Sequence, residues 1–329
     1  MNIKKVIRFV VIILISVNFS LIAQKNIWLS NTPPREVEKK IEKTGMRRLP
    51  VIYGKRHQAN IIQWIRSGEL PATSEYVKEN ALKNPQLFIF DEDGKEVKGE
   101  LLTNDLGFII TFPATKDGYY LIYLLQKYVK DDTLNISVAK VERMFHSCRN
   151  GHDKALIRVE AKTYPEQIPI EIVRERLRGE NLHTVIHPGD DVTFQVLLNK
   201  NPVEKSIIQM ATQKGWIKKE ITDNNGEATF QFIKDNITKM QELRRRAAYN
   251  YIITFQKIIK QEGTFDNQKY SYINYTTTFS DNYTPSRAPY SSFVWALFVV
   301  LGSIILISLG IYFYRKKHKV EYKEIALNE

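Results

Sequence analysis

The chain has 329 residues, 43% hydrophobic and 26% charged, an ordinary globular composition with room for one large or two modest domains of roughly 100–150 residues each. Its formal charge of +12 does not amount to a nucleic-acid footprint, because Lys4, Lys5 and Arg8 carry part of it at one end and Arg315, Lys316, Lys317, Lys319 and Lys323 another part at the other. The densest internal cluster, Arg244-Arg245-Arg246, precedes an apolar run rather than interleaved stacking aromatics, and the single cysteine, Cys148, excludes an intrachain disulfide.

Residues 1–24 read as a signal peptide: Met-Asn-Ile-Lys-Lys, then an apolar stretch from Val6 to Ile22, then Ala23-Gln24 at the expected cleavage point. Residues 25–162 form the expected first domain, β-rich with some helix. Its opening part is mixed, with a charged helix-tolerant stretch at Glu36 to Lys43 and a strand-like Leu49 to Tyr53. Strand signals then become regular: Gln86 to Phe90, Lys95 to Leu102, Leu106 to Phe112, Tyr119 to Leu125, Leu134 to Val141 and Lys154 to Ala161. The Asp91-Glu92-Asp93-Gly94 segment between the first two lacks the spaced ligands of a calcium loop and reads as a turn.

A linker with Pro165 and Pro169 leads into the second expected domain, residues 163–280, a small Greek-key sandwich. Val192, Phe194, Val196 and Leu198 alternate on one strand, Ala228, Phe230 and Phe232 on another. Tyr249 to Phe255 and Tyr270 to Phe279 close it, and Tyr270, Tyr272 and Tyr275 read as packing rather than a ligand platform. Residues 281–292 are a polar stalk. Phe293 to Tyr314 is 22 residues without a charge, long enough to cross a hydrocarbon core of roughly 30 Å. Trp295, Tyr312 and Tyr314 stand where aromatic belts stand, and the basic block from Arg315 marks residues 315–329 as a cytoplasmic tail. The fold class is therefore mainly β: two Ig-like, Greek-key β-sandwich domains outside the cytoplasm, periplasmic or surface-exposed, plus one C-terminal transmembrane helix.

The stretch Ile168 to Phe279 resembles a bacterial envelope family, the NikM-like nickel-uptake substrate-specific transmembrane family. Ile168-Pro169-Ile170-Glu171-Ile172-Val173, His187-Pro188-Gly189-Asp190, Asn201-Pro202-Val203, Thr222-Asp223 to Gly226-Glu227-Ala228-Thr229-Phe230 and Tyr275 to Phe279 carry the resemblance, with Asp117 to Ile122 as the preceding strand. It implies an anchored sandwich protein associated with nickel or cobalt uptake, acting with a separate membrane permease or another envelope protein. Members of that family often begin the mature chain with a histidine. This chain has Gln24-Lys25-Asn26-Ile27-Trp28 there, so no metal role transfers from that position.

The candidate metal site lies elsewhere. His146, Cys148 and His152, with Asp153 as a further ligand or orienting carboxylate, offer imidazole and thiolate donors suited to nickel, cobalt or zinc. Against it stand the plain reading of a polar hairpin loop, the neighbouring Arg149 and Lys154, and a minor alternative in which Cys148 is a redox or nucleophilic residue. His183 and His187 read as turn positions. With no nucleophile elbow, zinc-protease helix or phosphate loop, the expectation is a binding protein rather than an enzyme. A structural or adhesion module that binds a protein partner and no metal is the alternative function.

Overall fold

A computed structural model of the chain describes residues 25–37, 51–53, 59–78, 81–146, 162–163, 166–181, 183–233, 248–284 and 288–319. In chain order its strands begin with β1 (Ile27–Ser30), β2 (Val51–Tyr53), β3 (Ala59–Ser67), β4 (Glu75–Tyr76), β5 (Gln86–Phe90), β6 (Glu100–Asn104), β7 (Gly107–Ala114), β8 (Gly118–Lys130) and β9 (Thr133–Phe145). They continue with β10 (Ile170–Arg174), β11 (Asp191–Leu198), β12 (Asn201–Pro202), β13 (Ile207–Thr212), β14 (Ile217–Ile221), β15 (Glu227–Gln231), β16 (Tyr249–Phe265) and β17 (Gln268–Tyr283). A helix, α1 (Ala288–Lys317), follows. The chain is mainly β, with one long apolar helix at its C-terminal end.

The strands form three sheets. The central one has seven strands in the order β14-β13-β16-β17-β9-β8-β5. A six-stranded sheet runs β1-β3-β7-β6 with β2 and β4 on β3, and a four-stranded sheet places β10, β12 and β15 around β11. β8 shows how the layers stack. Tyr120, Ile122 and Leu124 point into a core shared with Ile61, Ile110 and Phe112 of the six-stranded sheet. Leu121, Tyr123 and Leu125 point the other way, into a core with Ile172, Phe194 and Val196 of the four-stranded sheet. A strand that alternates between two cores reads as an unbroken apolar run, as Tyr119 to Leu125 does.

The second core is aromatic. Phe194 meets Phe230, Tyr251 and Phe279 with ring centroids 6.0, 6.2 and 5.6 Å apart, and Phe232 meets Tyr251 edge-on at 4.9 Å. Each such side chain contributes about 1.5–3 kcal/mol by leaving water. At the other end, Trp28 is fully buried, donates its indole N–H to Ser74 Oγ at 3.0 Å, and carries the Arg66 guanidinium 4.8 Å above its ring.

Turn chemistry explains the motifs that carried the family resemblance. Asp223 Oδ1 accepts the backbone N–H groups of Asn225 and Glu227 at 2.8 and 2.9 Å, and Thr222 Oγ1 donates to Val203 O at 2.6 Å. Gly226 sits at φ 74°, where an added Cβ would lie 2.9 Å from both Val196 O and Val203 N. Asp91 ties its own turn likewise, accepting from the backbone N–H of Asp93 and Lys95 at 3.0 and 2.9 Å. Both segments are turns by construction. Asp131-Asp132, Asn199-Lys200 and Asp266-Asn267 each have positive φ at both residues, the signature of tight two-residue hairpins.

Several sequence expectations change. The division at 162/163 does not separate two sheets, because β17 pairs in parallel with β9, setting Thr277 beside Val138. The strands on either side of that point share one sheet and one core, since β8 and β9 need cover on both faces. The 281–292 stalk begins too early. Asp281 to Tyr283 belong to β17, and Tyr283 is buried against Phe232 and Tyr249. Ala59–Ser67 adds a strand to the mixed opening part, and Glu100–Asn104 replaces the expected Lys95 to Leu102. The expected strand Lys154 to Ala161, the signal peptide and most of Glu36 to Lys43 lie outside the described residues.

Taken by itself, α1 holds a 24-residue segment, Val294 to Lys317, that is long and apolar enough to cross a membrane and is nowhere buried. It starts at Ala288 and ends at Lys317, a turn or so beyond the apolar run at each end, with Arg315, Lys316 and Lys317 in its last turn, where cations oppose the negative end of the helix dipole.

Candidate functional site

Of the four candidate ligands, the described residues include His146 alone; Cys148, His152 and Asp153 lie outside them. His146 follows the last residue of β9. Its Nδ1 lies 2.8 Å from Asp117 Oδ2, on the turn before β8, and its side chain is 3% exposed. A carboxylate on Nδ1 favours the tautomer protonated there and leaves Nε2 as the lone-pair nitrogen. The His183 ring stands 5.0 Å from that of His146, edge to face. Two imidazoles and an orienting carboxylate thus converge from three separate stretches of chain. His183, which the sequence presents as a turn residue, was not visible as a neighbour of His146. His187 turns away and bonds Thr284 O through Nδ1 at 2.7 Å.

Asp117 also lines a cleft of about 280 Å³ with Asp91, Glu92, Asp93, Lys116 and Lys162. Lys116 bonds Asp93 at 2.7 Å, and Lys162 donates to Glu92 O at 2.6 Å. Two lysines thus stand among four carboxylates, Lys116 pairing Asp93 and Lys162 bonding a backbone carbonyl. Among the described residues, no group of three or more His, Cys, Asp and Glu side chains is placed to hold a metal ion. A wider cleft of about 870 Å³ lies beside β1 and β4, with Tyr76, Tyr128, Lys25, Glu75, Lys78 and Asp105 on its walls. Its charges are of both signs, and Lys25 and Glu75 bridge at 3.1 Å.

The most concentrated chemistry is internal. Lys140 and Glu142 on β9 face β10 and the segment after it. Lys140 Nζ bonds Glu171 Oε2 at 2.8 Å, and Tyr123 donates to the same oxygen at 3.1 Å. Arg176 bonds Glu142 at 2.6 Å, and Arg174 forks onto Glu180 at 2.9 and 2.6 Å. Arg143 donates to Gln63 at 2.9 Å and to Asp281 at 3.1 Å. Four cations thus face four carboxylates inside the body, each paired as a buried charge must be.

Burial pushes the Asp281 carboxyl above its ordinary value, against the pull of Arg143 and Arg174. Burial also raises the Tyr119 and Tyr251 phenols and lowers the Arg143 guanidinium. Glu180 is drawn upward by burial, yet its bonds from Arg174 and the Leu177 N–H outweigh that and hold it below the usual carboxylate range. Tyr251 Oη, Glu142 Oε1 and the Nε atoms of Arg174 and Arg176 are buried without a partner among the described residues. Perturbed groups of this kind mark active sites when they line a cleft. Here they face one another between layers.

No protein-family model matches the chain, and no curated protein matches it. Solved structures do. The D0-D1 domain of intimin aligns over 70% of this chain and 90% of its own at 11% identity, with a TM-score of 0.20. A bacterial ice-binding adhesin involved in host cell surface retention aligns over 70% of this chain and 58% of its own at 7% identity and a TM-score of 0.20. The BSP domain of a biofilm-associated protein aligns over 66% of this chain and 27% of its own at 10% identity and a TM-score of 0.17. At those TM-scores the likenesses carry no role across to this chain.

Proposed function

We propose that this chain is a membrane-anchored interaction module: α1 crosses the membrane once, the β body stands on the extracytoplasmic face, and the body binds a protein partner rather than catalysing a reaction. The observation that carries this reading is that the perturbed ionisable groups pair with one another between the sheets, while α1 is apolar and unburied from Val294 up to its basic last turn. Ion pairs closed on one another in this way stiffen the body and leave its surfaces as the parts that can meet a partner. The basic end of α1 favours a cytoplasmic C-terminus. Fusing alkaline phosphatase after Glu329 and after Thr284 tests the topology: activity only for the shorter fusion is expected, and activity only for the longer one overturns it.

A second reading, an accessory to transition-metal uptake that works beside a separate permease, has behind it the approach of two imidazoles, His146 and His183, at 5.0 Å, one donor short of the three that a metal group needs among the described residues. Calorimetric titration with nickel, cobalt, zinc and copper decides between the two. Binding at micromolar or tighter affinity, lost in His146→Ala and weakened in His183→Ala, supports the metal reading. Absence of binding leaves the interaction module.

A further inference from the structure

β14 ends the seven-stranded sheet, paired on one side with β13 and on the other with no strand among the described residues. Native proteins usually protect such an edge. This one reads Ile217-Lys218-Lys219-Glu220-Ile221, with alternate residues exposed. Its outer face is apolar at both ends, Ile217 being 47% and Ile221 67% exposed, and Ile207, opposite Ile221 on β13, is 60% exposed.

The pattern is self-complementary. Placed antiparallel to a second copy about a two-fold through Lys219, Ile217 falls opposite Ile221 and Lys218 opposite Glu220, and each relation occurs twice. Ile207 then joins an apolar cluster with Ile221 and the partner's Ile217. The only like-charged opposition is Lys219 with itself, on the exposed face, where screening is strongest. We infer that β14 is the seam of a two-fold dimer of this chain, in which two seven-stranded sheets join edge to edge. This rests on the reading of the body as an interaction module and names its first partner, a second copy.

Antiparallel neighbours have Cα atoms about 4.5–5.5 Å apart, inside the roughly 4.4–6.8 Å that a disulfide spans. In the full chain carrying Cys148→Ser, Lys219→Cys therefore links to itself when membranes are permeabilised and treated with copper phenanthroline. Ile217→Cys or Ile221→Cys alone does not, because each sits roughly 13 Å from its own copy at about 3.4 Å per residue. Ile217→Cys and Ile221→Cys chains expressed together do link. The oxidant reaches both sides, so the outcome does not depend on which side the body occupies.

Charge reversal supplies the second arm. Lys218 and Glu220 also bridge within one strand, so folding effects must be separated from pairing. Added to Lys219→Cys, either Lys218→Glu or Glu220→Lys alone reduces the linked dimer to background. Co-expressing the two variants restores it, because opposite charges meet across the seam while each chain keeps its own like-charged pair. Equal linking at positions 217, 219 and 221, no linking at 219, or no rescue by co-expression overturns the proposal; linking of Lys219→Cys to a different protein assigns the edge to another partner.

Discussion

Lys140 is fully buried and Glu171 is 5% exposed, and their 2.8 Å contact lies between the central and four-stranded sheets. At an effective dielectric of about 20 the attraction is about 6 kcal/mol. Removing two ions from water costs several kcal/mol each, so the intact pair contributes little net stability. Breaking it is another matter. Lys140→Met leaves a carboxylate buried with only Tyr123 as its hydrogen-bond donor, and Glu171→Gln leaves an ammonium with a neutral partner; each is expected to cost about 3–5 kcal/mol. With a urea slope near the top of the roughly 1–3 kcal/mol/M range, the unfolding midpoint falls by more than about 1 M. In Lys140→Met/Glu171→Gln no unpaired charge remains and the amide oxygen still accepts from Tyr123, so most of the loss is recovered. Urea melts of the four proteins give the coupling directly. Single costs below about 1 kcal/mol, typical of exposed pairs, or a double variant as damaged as the sum of the singles, would refute the reasoning.

Glu180 gives the pH dependence. Its folded value lies below its unfolded one, so its contribution is complete above the ordinary glutamate value of about 4.3 and is lost as pH falls through the folded value. Glu180→Gln should flatten that acid limb, read as melting midpoint against pH, while lowering stability near neutrality. Trp28→Ala removes a fully buried ring along with its bond to Ser74 and its contact with Arg66, a loss of about 3–5 kcal/mol by chemical denaturation. Gly226→Ala and Gly215→Ala both place a side chain in left-handed backbone, which costs about 1–2 kcal/mol. At Gly226 the new Cβ also meets backbone atoms of Val196 and Val203, while at Gly215 it meets nothing, so the melting temperature should fall further for Gly226→Ala.

Strands with one wet face, and the apolar stretches of strands with two dry ones, were legible in the sequence; strand ends that carry buried charge or lie open to solvent on both faces were not. Val192, Phe194 and Val196 alternate because the other face of β11 is partly open to solvent. β9 reads as ending near Val141, since Lys140, Glu142 and Arg143 look like solvent residues, yet it runs on to Phe145 because Glu171, Arg176 and Asp281 neutralise them inside. β3 loses its alternation for the same reason: Gln63 and Arg66 are buried, held by Arg143 and Ser74. The far half of β16 is mostly exposed, and its polar residues hide a strand that a tight Asp266-Asn267 turn sustains. His146 could be named from its neighbours in sequence. Its contact with His183 depends on the fold bringing together residues that no local pattern connects.

The parallel pairing of β17 with β9 bears on how the chain is made. Residues near 138 wait for residues near 277 before the central sheet is continuous, and β17 is the last of the described strands to leave the ribosome, a few residues ahead of the apolar helix α1. Until then one side of β9 is an open edge and the layers on either side lack much of the surface they pack against. Contacts between segments so distant in sequence form slowly. A nascent body released before residue 268 would expose that edge, whereas one still tethered to the ribosome is shielded from its neighbours until the sheet closes.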